Sequence, residues 1–177
     1  MDSTASTVQR GLFITIEGVF GKSTQAQLLC DHFKRSDVEV HVVENVNLSH
    51  VFLSGTIQKL LGHGVHVIAS NYVATKPAQD SAGWMSPDVV LYLRASVSGI
   101  ILHKARRSIC NDTDDRVIDV QSVYYNHCLT NCQHTNAELT QHEQDVLVAY
   151  DQQYIRSFDA EKTRNAIHQD IVAFVGI

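Results

Sequence analysis

The sequence is poor in proline, in positive charge and in long apolar runs. Of its 177 residues only Pro77 and Pro87 are prolines, and both fall where the chain reads as loop or as the start of a strand. Fourteen Lys and Arg against 19 Asp and Glu leave a net charge of −5, which argues against the basic stripe that a nucleic-acid-binding surface needs. No apolar stretch approaches the roughly 20 residues that a membrane-crossing helix takes. The opening MDSTASTVQR has no apolar core of a secretory signal. It is rich in Ser and Thr, and residues 1–10 are expected to form a disordered leader, with a transit peptide as the alternative. There is no internal repeat and no low-complexity segment.

Cysteine is sparse as well: Cys30, Cys110, Cys128 and Cys132. Without a secretion signal they are expected to be free thiols in a reducing compartment. HCLTNCQH at 127–134 carries two Cys with flanking His. Cys128 and Cys132 are four apart and share a helix face, so they read as packed small apolar residues in preference to a zinc site. No second pair with ligand spacing stands elsewhere.

What remains is an ordinary globular composition, 44% hydrophobic and 19% charged, long enough for one domain with a proper core. Short β-branched runs alternate with helical patterns. Strands are expected at 12–17, 38–44, 65–70, 88–95 and 154–160. Helices are expected at 22–34, 48–62, 96–107, 119–133, 137–151 and at the C-terminal end, where Ile167, Ile171 and Val175 recur at i, i+4 and i+8. In the first helix Leu28, Leu29, His32 and Phe33 make the apolar stripe. In the second it is Val51, Phe52, Ile57, Leu60 and Leu61, ended by Gly62 and Gly64. Strand–helix alternation implies an α/β fold, with a five-stranded parallel sheet and helices on both faces. Ligands of such sheets bind at the carboxyl ends of the strands.

EGVFGKST, residues 17–24, lies at that end of the first strand. A phosphate loop wraps an anion with successive backbone N–H groups, and the helix behind it adds partial positive charge. Lys22 would reach the outer phosphates and the Ser23 hydroxyl would ligate Mg²⁺. The usual pattern has four residues between the first Gly and the Gly-Lys pair. Here only Val19 and Phe20 separate Gly18 from Gly21. A loop of normal reach would return if the strand ended two residues early and released Ile16 and Glu17, a shift that keeps the strand's facing. The bland alternative is a Gly-containing turn without a ligand.

RGLFITIEGV followed by GKSTQAQLL (10–29) resembles the opening of thymidylate kinase, a P-loop nucleoside monophosphate kinase. Glu17, Gly18, Gly21, Lys22, Ser23, Thr24 and Gln25 match that family's motif. LLGHGVHVIASNYVAT (60–75), SPDVVLYLRAS (86–96), the HKARRS…DDRVID region (103–119) and IRSFDAEKTRNAIHQDI (155–171) resemble, in order, its third strand, its Pro-Asp strand, its lid and its last strand and helix. The resemblance implies a three-layer P-loop kinase fold in a single domain over 11–177, with a lid at about 106–118. It implies transfer of the γ-phosphoryl of ATP to dTMP with Mg²⁺, in a cytoplasmic homodimer. By matching position, Lys22 would hold the phosphates and Ser23 the Mg²⁺. Arg106, Arg107 and Arg116 would act as lid arginines. Glu17, Gly18, Gly21 and Thr24 would line the nucleotide, with Tyr72 beside the monophosphate and Gln79 toward the thymidine.

The departures fall in the chemistry. Phe20 stands where the family has Asp or another polar residue. The Asp-Arg pair after the third strand is Ser70-Asn71 here. The stretch between Val43 and Gly64 is short, with Glu44 as a remnant of its motif, and no Asn-Arg helix faces the base. Apart from the resemblance, the charged run His103 to Arg107 reads as a solvated helix end. Arg116 could be held by Asp114 and Asp115, and Glu17 by a backbone hydrogen bond. A catalytically inactive relative that binds a nucleotide or a partner, or a shortened isoform, therefore stands beside the kinase reading.

Overall fold

The computed structural model describes residues 9–43, 50–72, 85–103, 136–137 and 139–176, the side chains of 50–52 excepted. Five strands form one sheet: β1 (Phe13–Gly18), β2 (Val40–Val43), β3 (His66–Ser70), β4 (Val89–Arg94) and β5 (Ile155–Asp159). Their order is β2-β3-β1-β4-β5 and every pairing is parallel. Helices α1 (Lys22–Arg35), α2 (His50–Gly62) and α5 (Arg164–Val175) connect or follow them, with helical segments at 97–103 (α3) and 139–149 (α4). The fold is the α/β arrangement that the alternation predicts, and the described element ends differ from the expected ones by only a residue or two, 104–107 and 119–133 lying outside the described residues. The fifth strand starts one residue late because a 3-10 turn, Gln152–Tyr154, precedes it; Asp151 caps this turn by accepting from the Gln153 N–H.

β1 is central and buried throughout, as a strand covered on both faces must be. Its residues alternate between two cores. Ile14 and Ile16 join Ile68, Leu91 and Leu93 beneath α1 and α5, where Ala26, Leu29, Phe33, Ile167 and Ile171 close the layer. Phe13 joins Val67, Ala69, Val90 and Tyr92 on the opposite face, beneath Leu53, Ile57 and Leu61 of α2 and Val146 of α4. The α1 stripe is rotated from the sequence expectation. Gln25, Ala26, Leu29, Cys30 and Phe33 are buried, while Leu28 and His32 are half-buried. The rotation follows from Gln25, whose amide turns inward and donates to the Arg164 carbonyl at 3.0 Å. That bond ties the start of α1 to the start of α5.

The early end of β1 that would lengthen the loop does not occur. Ile16 pairs with Ser70 and Leu91, Glu17 with Tyr92 and Gly18 with Leu93. Ile16 and Glu17 are fully buried, so the sheet keeps both residues and the connection to α1 is Val19-Phe20-Gly21. Residues 1–8 of the expected 1–10 leader, the helix at 119–133, the lid, and Cys110, Cys128 and Cys132 lie outside the described residues, while Arg10 of that leader pairs with Asp88 at 2.8 Å. Cys30 is a buried free thiol, as expected.

Candidate functional site

The short connection places Gly21 at the N-cap of α1, in the left-handed region at φ 82°. Glycine adopts this conformation without Cβ strain. No side chain caps this helix end, and its first turn holds no acidic residue. The first intrahelical bond is from the Gln25 N–H to the Gly21 carbonyl. An α-helix leaves its first N–H groups without internal partners. Here those of Lys22, Ser23 and Thr24 open on a cavity of about 480 Å³, lined by Val19, Phe20, Gly21, Lys22, Ser23, Thr24 and His103. The helix dipole adds partial positive charge at the same point. The place is suited to an oxyanion.

Lys22 does not extend into solvent. Its ammonium turns back and donates to the Gly18 carbonyl, closing the short loop on itself. Burial lowers the Lys22 pKa, and the Glu17 carboxylate beside it pulls the other way. Glu17 is itself held by a side chain, not by the backbone alone, since the Tyr150 hydroxyl donates to Glu17 Oε1 at 3.0 Å. Burial first, and the Glu17 charge second, push the Tyr150 phenol far above its ordinary range, so it stays a donor at any physiological pH.

Phe20 stacks on His103 of α3, centroids 4.3 Å apart and planes 11° from parallel. Both rings also line a second cavity of about 310 Å³ with Gly99, Leu102, Ala160, Glu161 and Lys162. His103 is therefore part of the loop's wall and not merely a solvated helix end. A larger cavity of about 630 Å³ lies at the ends of β4 and β5. Three of its carboxylates already have partners. Glu161 accepts from the Ser96 N–H, Asp159 accepts from the Glu161 N–H, and Glu143 faces Arg94 at 3.7 Å. Its negative lining disfavours phosphates.

Of the residues singled out in the sequence, Glu17, Gly18, Gly21, Lys22, Ser23 and Thr24 converge here. Ser23 and Thr24 are exposed at the cavity. Tyr72 sits in the core at 1% exposure, edge-on to Phe13, and its hydroxyl donates to the Met85 carbonyl. Ser70 is buried, and Asn71 adopts φ 61° directly after β3. Arg106, Arg107, Arg116 and Gln79 lie outside the described residues. The sequence reading missed Tyr150 and His142. Their signal was the spacing His142–Val146–Tyr150, a four-residue repeat that turns one stripe of α4 toward the sheet.

Ser23 fits one place in a Mg²⁺ shell, an exposed hydroxyl one residue from the ammonium. Among the described residues no group of three His, Cys, Asp or Glu could hold a metal by itself. Mg²⁺ keeps several waters and takes phosphate oxygens, so a lone protein hydroxyl suits an ion that arrives with a nucleotide.

The sequence matches no protein-family model and no curated protein. Solved structures match the fold. A thymidylate kinase from Candida albicans superposes with a TM-score of 0.55 at 17% identity, covering 94% of this chain and 92% of that one. A protein designated APE1195 superposes with a TM-score of 0.54 at 15% identity, over 97% and 98% of the two chains. The chain thus has a P-loop kinase-like fold.

Proposed function

We propose that this chain is a thymidylate-kinase-like P-loop protein that binds Mg-ATP at the start of α1 and transfers its γ-phosphoryl group to dTMP, giving dTDP. The observation that carries the reading is the uncapped α1 N-terminus with Lys22 at its edge, opening on the 480 Å³ cavity at the carboxyl end of the central strand. The likeness in fold to a thymidylate kinase supports it.

Phosphoryl transfer asks a protein chiefly for positioning and charge neutralisation. The N–H groups of residues 22–24 would fix the phosphates. Lys22 would release the Gly18 carbonyl, at a cost of about 1 kcal/mol, and take a phosphate oxygen in a stronger charge-assisted bond. The Glu17 charge favours keeping the buried ammonium protonated for that task. Ser23 would hold Mg²⁺, which when bound neutralises the phosphate charge. Arg106, Arg107 and Arg116 would close over the nucleotide and Gln79 would lie toward the thymidine. A cytoplasmic homodimer belongs to the same reading.

A second reading, nucleotide binding without transfer, is favoured by three features together. The loop is short, Lys22 is engaged with Gly18, and Ser70-Asn71 lacks a carboxylate and a cation. One experiment separates the two. Purified full-length protein is titrated with Mg-ATP by calorimetry and assayed for dTDP from dTMP, beside Lys22→Ala. Binding with Lys22-dependent dTDP supports the kinase reading. Binding that Lys22→Ala abolishes, without dTDP, selects the second. No Mg-ATP binding by folded protein overturns both.

A further inference from the structure

Two buried polar atoms lie unsatisfied at the carboxyl end of the sheet. Tyr92 is 4% exposed, yet its hydroxyl has no hydrogen-bond partner among the described residues. The same holds for His142 Nε2. The two rings stand 6.2 Å apart, one on β4 and one on α4. Buried polar groups are nearly always paired in folded proteins, so two neighbouring orphans point to something that completes them.

Their surroundings indicate what that is. Tyr92 pairs in register with Glu17, so both side chains project to the face covered by α4. Two turns along α4 from His142, the same stripe supplies Tyr150, which already satisfies a Glu17 oxygen. Lys22 lies close enough for its charge to help burial hold His142 neutral, against the opposing pull of Asp145. A tyrosine hydroxyl and a neutral imidazole in its Nε2–H form both donate. The nearby Glu143 carboxylate, which after burial raises the Tyr92 pKa, is faced by Arg94 at 3.7 Å, so two donors within reach of the Lys22 charge still suit an anionic oxygen. After β3, on the other side of β1 from β4, Asn71 stands where the resemblance implies a cation.

We propose that Tyr92 and His142 form a subsite that holds the phosphate of the acceptor nucleotide through two neutral hydrogen bonds. It rests on the reading above that dTMP is the acceptor. The pair supplies by donation part of what a missing guanidinium would have supplied by charge.

The test uses the full chain and calorimetric titration with three probes: Mg-ATP, dTMP and thymidine. Tyr92→Phe removes only an unpaired hydroxyl and His142→Gln keeps a polar side chain, so both variants are expected to fold. Each should weaken dTMP binding about tenfold, the usual worth of a hydrogen bond to a charged group, and leave thymidine and Mg-ATP within about twofold. Unchanged dTMP affinity in both variants overturns the subsite and leaves an ordered water as the occupant. Equal losses for dTMP and thymidine overturn it in favour of a sugar contact. Mg-ATP binding by the wild type with no dTMP binding overturns this inference together with dTMP as the acceptor, and leaves nucleotide binding at α1 standing. Absence of Mg-ATP binding overturns the nucleotide reading beneath it.

Discussion

His66 should make the stability of the sheet fall in mild acid. At the start of β3 its Nδ1 accepts the Leu12 N–H at 2.9 Å, just before β1. Its ring stacks on Phe33 of α1 at 5.4 Å and 10°. An imidazole that accepts at Nδ1 carries its proton on Nε2. Adding a second proton sets two donors against each other at the Leu12 contact. Burial already lowers the His66 pKa. The sign follows. The unfolded chain binds this proton as pH falls through about 6.5, before the folded chain does. The stability is therefore complete above that pH and is lost as pH falls toward the lowered folded value. Losing one such hydrogen bond is worth about 1 kcal/mol, and about 1 kcal/mol lowers Tm by roughly 2–4 °C at this chain length. Thermal melts at pH 7.5 and 5.5 should show that drop. His142 and His168 are also lowered, chiefly by burial, and add to it in the same direction. His66→Asn isolates the effect, because an amide oxygen at the Nδ1 position still accepts from Leu12 but does not titrate. If wild type and His66→Asn lose the same stability between the two pH values, the argument from the Leu12 contact is wrong.

Gly18→Ala should destabilise by at least about 2 kcal/mol in urea melts. The residue has φ 141°, and a Cβ there would lie 2.6 Å from the Leu93 carbonyl oxygen. Gly62→Ala, which meets nothing within 4 Å at the end of α2, should be neutral or slightly stabilising. Leu29→Ala, fully buried between α1 and the sheet, should cost about 2–5 kcal/mol. Leu147→Ala, 45% exposed on α4, should cost under about 0.5 kcal/mol by the same melts. Inserting Ala-Gly between Phe20 and Gly21 restores the usual loop length. It should raise Mg-ATP affinity more than tenfold by calorimetry, since each added N–H to phosphate is a bond of about 1.5–3 kcal/mol. Unchanged affinity would mean that loop length is not what limits the site.

The strands were legible because a parallel sheet buries both faces, and runs such as Leu12 to Ile16 and Val89 to Leu93 have no other use. The phosphate loop was legible as a candidate because Gly-Lys-Ser-Thr after such a run is a local pattern. The rest of the site was not, for physical reasons. Glu17 meets Tyr150 across 133 positions of sequence, and only the packing of α4 on the sheet brings them together. Phe20 meets His103 only because α3 returns along the face that holds the loop. The α1 stripe was misplaced because hydropathy favours Leu28 over Gln25, whereas the Gln25 amide finds a carbonyl on α5 and turns inward.

The fate of the two missing loop residues is decided by competition between the sheet and the ligand. Releasing Ile16 and Glu17 from β1 would expose a fully buried isoleucine, at roughly 1.5–3 kcal/mol. It would also give up pairings to Ser70, Leu91 and Tyr92 and the Tyr150 contact, at about 1 kcal/mol for each hydrogen bond. Without a ligand nothing offsets this, because the extra loop N–H groups would face only water. Bound nucleotide at a hundred times its dissociation constant supplies about 2.7 kcal/mol, less than that sum. The sheet therefore keeps its residues, the loop stays short, and Lys22 fills the gap by reaching the Gly18 carbonyl. On the proposed reading a nucleotide binds to the loop as it stands, through the first turn of α1 and the lysine it displaces. The shortened motif thus weakens, on that reading, the grip on phosphate while the uncapped helix end stays available to it.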